Sequence, residues 1–194
     1  MELSDISIRP ATKADASYIA DAIMTAVGDD ITLGFAGSVK RIPLVKQLFK
    51  TLAECDDSQY SYLNTLIAED DNRSVAGVII GYDGADLHRL RQRFIDKANQ
   101  ILGYSFSQEN MNDEASPDEI YIDTLCVFPE FQRKGVATKL IDSAIERYNS
   151  LKKPVGLIVD EENKNARRLY ERLGFRKIGM TAFAGTMMEH MQRT

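Results

Sequence analysis

The sequence predicts an α/β domain in which helices flank a twisted mixed sheet, and three stretches lead to this prediction. Residues 121–148 begin as a β-branched and aromatic strand, break at Pro129, pass through a basic turn and continue as an amphipathic helix. Residues 62–69 and 75–82 are strand-like runs joined by a polar turn, which favours antiparallel pairing. Residues 154–174 repeat the order of strand and helix.

The composition is that of an ordinary globular protein. The chain has 194 residues, of which 27% are charged and 44% hydrophobic, so we expect one domain over residues 1–194. A net charge of −5 argues against a nucleic-acid partner. The N-terminus lacks the apolar core of a signal peptide, and no apolar run is long enough to cross a bilayer, so we expect a cytoplasmic protein without a membrane partner. With two histidines and two cysteines, we expect neither a metal site nor a disulfide framework.

The first half of the chain is predicted to alternate strands and helices. In order, these are a strand at 5–9, a helix capped by Thr12 and running to Val27, a loop at 28–38, a helix at 43–54, and the two paired strands. Asp29 and Asp30 lie in the predicted loop, where they are either solvated charges or contacts for a cationic amine.

A long segment, residues 83–118, separates the third and fourth predicted strands. Apolar residues at helical spacing predict an amphipathic helix over 85–102, with Gly103 placed to end it. Residues 108–119 are polar and acidic and are predicted to form a mobile loop. Insertions of this length are often functional, so this one could cover an acceptor pocket, form a homodimer contact or simply pack on the sheet edge.

The last part of the chain is predicted to form a buried strand at 154–160 and a helix that ends at Gly174. Either Asn163 or Asn165 can cap that helix. Two further strands follow at 175–178 and 182–191.

The turn at residues 132–137 has the properties of an anion site. The first amides of a helix have no intrahelical acceptor, and the helix dipole adds partial positive charge there. Gly135 and Ala137 would let a ligand approach the backbone, while Arg133 and Lys134 add formal charge. The alternative is a charged turn with a glycine cap and no ligand. The spacing matches neither a Walker loop nor a dinucleotide-binding fingerprint.

Two motifs in this chain resemble those of the GNAT superfamily of N-acetyltransferases. Gln132, Gly135 and Ala137 match the family's Gln/Arg-x-x-Gly-x-Gly/Ala motif, which follows a strand and Pro129 as the family pattern requires. Residues 163–175 match the second motif, Asn-x-x-Ala-x-x-Leu-Tyr-x-x-x-Gly-Phe. The resemblance covers most of the chain except the insertion at 83–118. It implies a twisted, mainly antiparallel sheet flanked by helices, with that helical insertion between the third and fourth strands.

The resemblance also implies that acetyl-CoA is the acyl donor. Amides of the turn would hold its pyrophosphate, and the amide near Val127 would meet the thioester carbonyl. Asn163 would contact the pantetheine or a neighbouring backbone group, although on its own it reads as a helix cap. The residues expected to bind the donor are Leu125, Cys126, Val127, Gln132, Arg133, Lys134, Gly135, Val136, Ala137, Thr138 and Asn163. Cys126 is expected to face away from Asp123 as a small buried residue rather than to act as a nucleophile.

Acetyl transfer to an amine requires a base and an acid. A lysine-like amine has a pKa of about 10.4, so a group must accept its proton before attack. Asp123 is the expected base, on the same side of its strand as Tyr121 and Val127, with a structural or substrate-ammonium contact as the alternative and Tyr121 as a weaker base. The resemblance makes Tyr170 the expected acid for the thiolate, with a core tyrosine as the alternative.

The predicted function is transfer of an acetyl group from acetyl-CoA to a primary amine of a small molecule or peptide. Free amino acids, polyamines, aminoglycosides and protein N-termini all remain open as acceptors. One alternative is a non-catalytic acyl-CoA-binding module. Another is a protein that binds no acyl-CoA, but the intact phosphate-type turn argues against it. The amphipathic helix of the insertion gives a reason to consider a homodimer.

Overall fold

The computed structural model describes residues 6–194, within which the chain forms a seven-stranded sheet in the order β1-β2-β3-β4-β5-β7-β6. Only the β4–β5 pair is parallel in this sheet, and the other neighbours are antiparallel. The strands are β1 (Ile6–Pro10), β2 (Thr65–Asp70), β3 (Val75–Asp83), β4 (Ile120–Val127), β5 (Val155–Val159), β6 (Arg176–Phe183) and β7 (Thr186–Arg193). The mixed, mainly antiparallel sheet confirms the predicted fold class. The predicted start of the first strand, Asp5, lies outside the described residues.

Helices cover both faces of the sheet. They are α1 (Ala16–Val27), α2 (Asp29–Ala36), α3 (Ile42–Glu54), α4 (Leu87–Leu102), α5 (Val136–Tyr148) and α6 (Lys164–Arg172). On one face, α1, α3 and α4 bury residues such as Ile23, Leu48 and Phe94 with the β3 residues Val78 and Ile80. On the other face, α5 and α6 pack over a second apolar cluster. None of the helices in the described part of the chain is both long and apolar enough to cross a membrane.

Three sequence predictions about element boundaries are wrong. The loop predicted at 28–38 is mostly helix α2, which begins after Gly28 and ends at the left-handed Gly37. Residues 62–64 form a 3-10 turn, so β2 starts later than predicted. A tight turn at Ala184 and Gly185, both with positive φ, joins the last two strands. Strand β6 therefore continues up to this turn and is longer than the sequence suggested.

The insertion at 83–118 is built into the molecule. Its helix α4 buries its apolar stripe within the chain, including Leu90, Phe94 and Leu102. The acidic segment that follows was predicted to be mobile, yet it is held by a buried ion pair. The guanidinium of Arg91, 1% exposed, contacts Glu114 Oε2 at 2.5 Å and Asp113 Oδ1 at 2.8 Å.

A second buried carboxylate fixes the end of the insertion against the sheet. Glu119 is fully buried beside β4 and accepts hydrogen bonds from the amide of Ser116 and from the side chain of Gln192, with His190 Nε2 at 2.9 Å. A Cβ added to Gly156 would lie 1.8 Å from Glu119 Oε2, so a larger residue at that position of β5 would require Glu119 to move.

Candidate active site

The sheet opens at its centre. Strands β4 and β5 pair only at Ile120–Val155 and Tyr121–Gly156, and beyond those positions no register joins them. The two strands therefore diverge and leave a wedge-shaped cleft of about 470 Å³ between them. Its lining includes Asp123, Leu125, Cys126 and Val127 from β4, residues 157–159 from β5, and Asn163, Ala166 and Tyr170 from the segment containing α6. The cleft thus brings together Asp123 and Tyr170 with some of the expected donor-binding residues, whereas residues 133–138 of the basic turn do not line it.

A β-bulge interrupts β4 at the centre of the cleft. Ile80 pairs with Thr124 and Gly81 pairs with Ile122, so Asp123 is the extra residue. The bulge breaks the strict alternation that the sequence analysis assumed. Leu125 and Val127 pack with the α5 side, whereas Cys126 packs with the α1 side. The prediction that Asp123 shares its face with Val127 is therefore wrong.

Asp123 is the shared hydrogen-bond acceptor of a polar cluster. Its Oδ2 accepts hydrogen bonds from Gln59 Nε2 and from the hydroxyl of Tyr82, each at 3.2 Å, and its Oδ1 accepts one from Thr124 Oγ1 at 3.0 Å. Burial, reinforced by the charge of Glu114, raises the pKa of Asp123 to about 6. A carboxylate with such a pKa is largely ionised at neutral pH yet basic enough to take up a proton.

Tyr170 faces the same cleft from α6. Its ring packs edge-to-face on Phe175 with the centroids 5.8 Å apart, and burial raises its pKa to about 12. The phenol is therefore protonated at neutral pH. Within residues 6–194 no side chain or backbone group forms a hydrogen bond with its hydroxyl, which leaves that group free to donate to a ligand.

The basic turn precedes α5 as predicted. Arg133 and Gly135 both have positive φ, 59° and 78°, which curls the chain tightly before the helix. The first helical hydrogen bond runs from the amide of Lys139 to the carbonyl of Gly135, at 3.2 Å. The amides of Val136, Ala137 and Thr138 therefore precede the helical hydrogen-bond pattern and can meet an anion. Lys134 turns back instead, donating to the carbonyl of Glu130 at 2.6 Å.

The end of β4 presents backbone groups to the cleft. The amide of Phe128 donates to Ala76 on β3 at 3.0 Å, so the preceding amide, that of Val127, points the opposite way, towards the cleft. Gln132 Nε2 donates to the carbonyl of Val127 at 3.1 Å, which fixes this end of the strand against the turn. The backbone amide of Val127 is thus a hydrogen-bond donor on the cleft side of β4, close in sequence to Asp123.

Two further sequence expectations concern Cys126 and Asn163. Cys126 is buried, 4% exposed, and burial raises the pKa of its thiol to about 11, so it is not an activated nucleophile. Because of the bulge, however, Cys126 does not lie on the face of β4 opposite to that of Asp123, so the prediction that it faces away from Asp123 is wrong. Asn163 caps α6, its Oδ1 accepting from the amide of Ala166 at 3.1 Å, while its side chain also borders the cleft.

Sequence reasoning missed several residues around Asp123. Gln59 comes from an irregular segment after α3, Tyr82 from the end of β3, and Glu114 from the insertion. None of the three belongs to a motif. The buried Gln59 and Glu114 could not be distinguished in the sequence from ordinary solvated polar residues.

The chain matches the model of the acetyltransferase (GNAT) family over residues 43–175, which is more than half of its length. It therefore belongs to the GNAT acetyltransferase family, and the protein is an acyltransferase that transfers acetyl groups. The predicted resemblance is confirmed.

Solved structures give the same picture. A protein described as an acetyltransferase has 28% sequence identity and a TM-score of 0.74, with 96% of this chain and 98% of that chain covered. An N-acetyltransferase from Staphylococcus aureus has 25% identity and a TM-score of 0.76, with 96% and 99% covered. A histone acetyltransferase HPA2-related protein from Corynebacterium glutamicum, at 20% identity and a TM-score of 0.69 with 97% and 96% covered, shares the fold. A comparison with curated proteins gave no match.

Proposed function

We propose that the protein is an N-acetyltransferase that moves the acetyl group of acetyl-CoA directly to a primary amine. The observation that carries this proposal is the cleft between β4 and β5, because it is lined by a raised-pKa carboxylate, a protonated phenol and a free strand amide. These are the three kinds of group that acyl transfer from a thioester needs.

The residues around the turn fit an acyl-CoA. The amides of 136–138 at the start of α5 suit a pyrophosphate, and the exposed Arg133 adds positive charge beside them. Gln132, Gly135 and Lys134 shape the turn rather than supply amides to a regular helix. Leu125, Cys126, Val127 and Asn163 border the cleft that would receive the arm carrying the thioester.

Asp123 and Tyr170 each carry out one of the two proton transfers. Asp123 accepts a proton from the attacking ammonium or amine, directly or through water, and is reset by release of that proton to solvent. The amide of Val127 stabilises the negative charge that develops on the thioester oxygen as the new C–N bond forms. When the C–S bond breaks, Tyr170 gives its proton to the sulfur and regains one from solvent. The products are an amide and a free thiol.

Tyr170→Phe tests the proposal because it removes only the hydroxyl. We expect kcat to fall about 100-fold, as loss of a general acid does, while the Kd for acetyl-CoA measured by titration calorimetry stays unchanged. The rates would be followed by thiol release with an amine panel, and product masses would confirm the amide.

The main alternative is a domain that binds acyl-CoA without turning it over. That protein would bind acetyl-CoA through the same turn, but it would release no thiol with any amine, and Tyr170→Phe would change nothing. Unchanged turnover in Tyr170→Phe would also reject the acid role of Tyr170.

A further inference from the structure

A second cavity adjoins the cleft. It has a volume of about 600 Å³, which lies in the range of about 300–1,000 Å³ typical of small-molecule sites. The two spaces are adjacent, because both are lined by Val27, Ile31, Tyr60, Glu114 and Phe183. We call this second space the aromatic chamber.

The walls of the aromatic chamber are mainly rings. Phe35 of α2 is the central ring of this wall. Its ring stacks with those of Phe94 and Phe106, with centroids 5.9 Å apart in each pair, and with that of Phe49 at 6.4 Å. Tyr60 meets Phe49 edge-to-face at 5.2 Å. Two of these rings, Phe94 and Phe106, come from the insertion at 83–118. The insertion therefore builds a wall of the chamber.

Two polar side chains of the chamber have atoms without a partner. Thr32 Oγ1 and Gln59 Oε1 are buried and form no hydrogen bond within residues 6–194. Gln59 is 3% exposed, and its Nε2 already donates to Asp123. Its Oε1 is therefore an unused acceptor beside the expected base. Leaving such an atom unpaired is costly, which indicates that a ligand N–H or a water satisfies it.

Charged side chains are few around the chamber. Glu114, which pairs with Arg91, lines both the chamber and the cleft, and Asp123 lines the cleft, where its carboxylate can attract an ammonium group. Asp30, exposed on the first turn of α2, also lines the chamber. Apart from the uncharged polar side chains of Thr32, Gln59, Asn110 and Asn112, the side chains of the remaining walls are mainly apolar, and a charged group placed against them would lose its hydration without an ionic partner.

We propose that the acceptor is a primary amine carried on an apolar, ring-sized body. The body occupies the aromatic chamber and the amine reaches the junction, where Gln59 Oε1 accepts one N–H and Asp123 takes the proton. This inference rests on the proposed function and narrows its substrate class. It disfavours free amino acids, which would place a carboxylate among the rings. It also disfavours polyamines such as spermidine, whose internal ammonium would lie among the rings even with a terminal ammonium paired to Asp30.

The test compares 2-phenylethylamine, spermidine and lysine as acceptors at saturating acetyl-CoA, by thiol release and product mass. We expect kcat/KM for 2-phenylethylamine to exceed that of the other two at least tenfold, as differential burial of an apolar body predicts. A preference for spermidine or lysine would overturn the substrate class and leave the transferase function intact.

Calorimetry separates this inference from failure of the proposed function. Titration of 2-phenylethylamine into the protein saturated with CoA should show binding even if turnover is absent. No binding and no turnover of this amine would overturn the inference. No binding of acetyl-CoA would instead overturn the proposed function.

A chamber variant gives a second test. Gly34 lines the chamber, and a Cβ added there would meet no heavy atom within 4 Å, so the first atom of a side chain fits at this position without a clash. We expect Gly34→Leu to lower kcat/KM for 2-phenylethylamine about tenfold, with the Kd for acetyl-CoA unchanged. Gly179→Leu is the matched control and should keep the wild-type rate, because Gly179 lines neither space and a Cβ added there would also meet no heavy atom within 4 Å. An unchanged rate in Gly34→Leu would contradict the placement of the amine in the chamber.

Discussion

Asp123 is the residue whose properties depend most on its surroundings. Alternation along β4 alone would have placed it on one face with Val127, but the bulge turns it into the polar cluster formed by Gln59, Tyr82 and Thr124. Burial raises its pKa, and the charge of Glu114, from a different part of the chain, raises it further. The basicity that we propose for this carboxylate therefore depends on its burial, on a local backbone irregularity and on a distant charge.

Glu114→Gln tests the electrostatic link between the insertion and the base. The Asp123 carboxylate must be ionised to accept a proton, so kcat/KM should rise as the pH increases through about 6. Removing the charge of Glu114 lowers the pKa of Asp123, and this rise should move to lower pH. Arg91 still pairs with Asp113 in the variant.

The measurement is kcat/KM against pH for the variant and the wild type with the same amine. The ionisation of the amine is then common to both profiles. Asp123→Asn is the control and should lose the acidic limb together with most of the activity. A profile for Glu114→Gln that coincides with the wild type would exclude the link.

Among the elements, the insertion and the β4–β5 junction depend on buried charges. Helix α4 carries Arg91 into the interior, and the acidic segment after it supplies Glu114 to meet it. At the junction, Glu119 occupies the space below Gly156. These carboxylates hold the acidic segment that the sequence predicted to be mobile.

Arg91→Met should destabilise the protein strongly because it leaves Glu114 buried without its cation. We expect a loss of about 3–5 kcal/mol in the free energy of unfolding, measured by urea denaturation. The double variant Arg91→Met, Glu114→Met removes both charges and should recover a large part of that loss. A single variant as stable as the wild type would show that the ion pair does not hold the segment.

Gly156→Ala should also destabilise the protein, because the added Cβ would lie 1.8 Å from a carboxylate oxygen of Glu119. The expected cost is about 1–3 kcal/mol, seen as a lower denaturation midpoint. Gly179→Ala is the matched control, since its Cβ would meet no heavy atom within 4 Å. Equal effects of the two substitutions would argue against the packing of Glu119 below β5.

The elements that the sequence predicted well have a strong local signal. Helix α5 has a clear apolar stripe and a glycine at its start, and β3 is a continuous apolar run. Helix α2 was missed because Asp29–Ala36 is short, contains Gly34 and has no clear stripe. The bulge at Asp123 and the roles of Gln59 and Glu114 arise from pairing and packing between distant segments, which no local pattern encodes.

For the whole molecule, the main question from the sequence is whether the amphipathic insertion helix joins two copies. Helix α4 buries its stripe against its own chain, so that stripe is not available to a partner. A single domain over 1–194 and a homodimer both remain predictions. Light scattering of the intact chain measures the mass directly.

Deleting residues 83–118 should abolish cooperative folding rather than change only the mass. The deletion removes Phe94, Ile95, Ala98 and Leu102 from the larger apolar cluster, and with them a wall of the aromatic chamber. We expect no sharp thermal transition by circular dichroism. A deletion variant that unfolds cooperatively near the wild-type temperature would show that the insertion is a separable appendage.

The short β4–β5 junction divides the sheet into two parts, β1–β4 and β5–β7, which hydrogen-bond to each other at only two residue pairs. Each part can therefore open as its own foldon, with the junction as the weak boundary between them. A ligand that spans the cleft touches both parts and must couple their opening. In the free protein, amide hydrogens on the two sides of the cleft should exchange at unrelated rates, and occupancy of the cleft should make them exchange together.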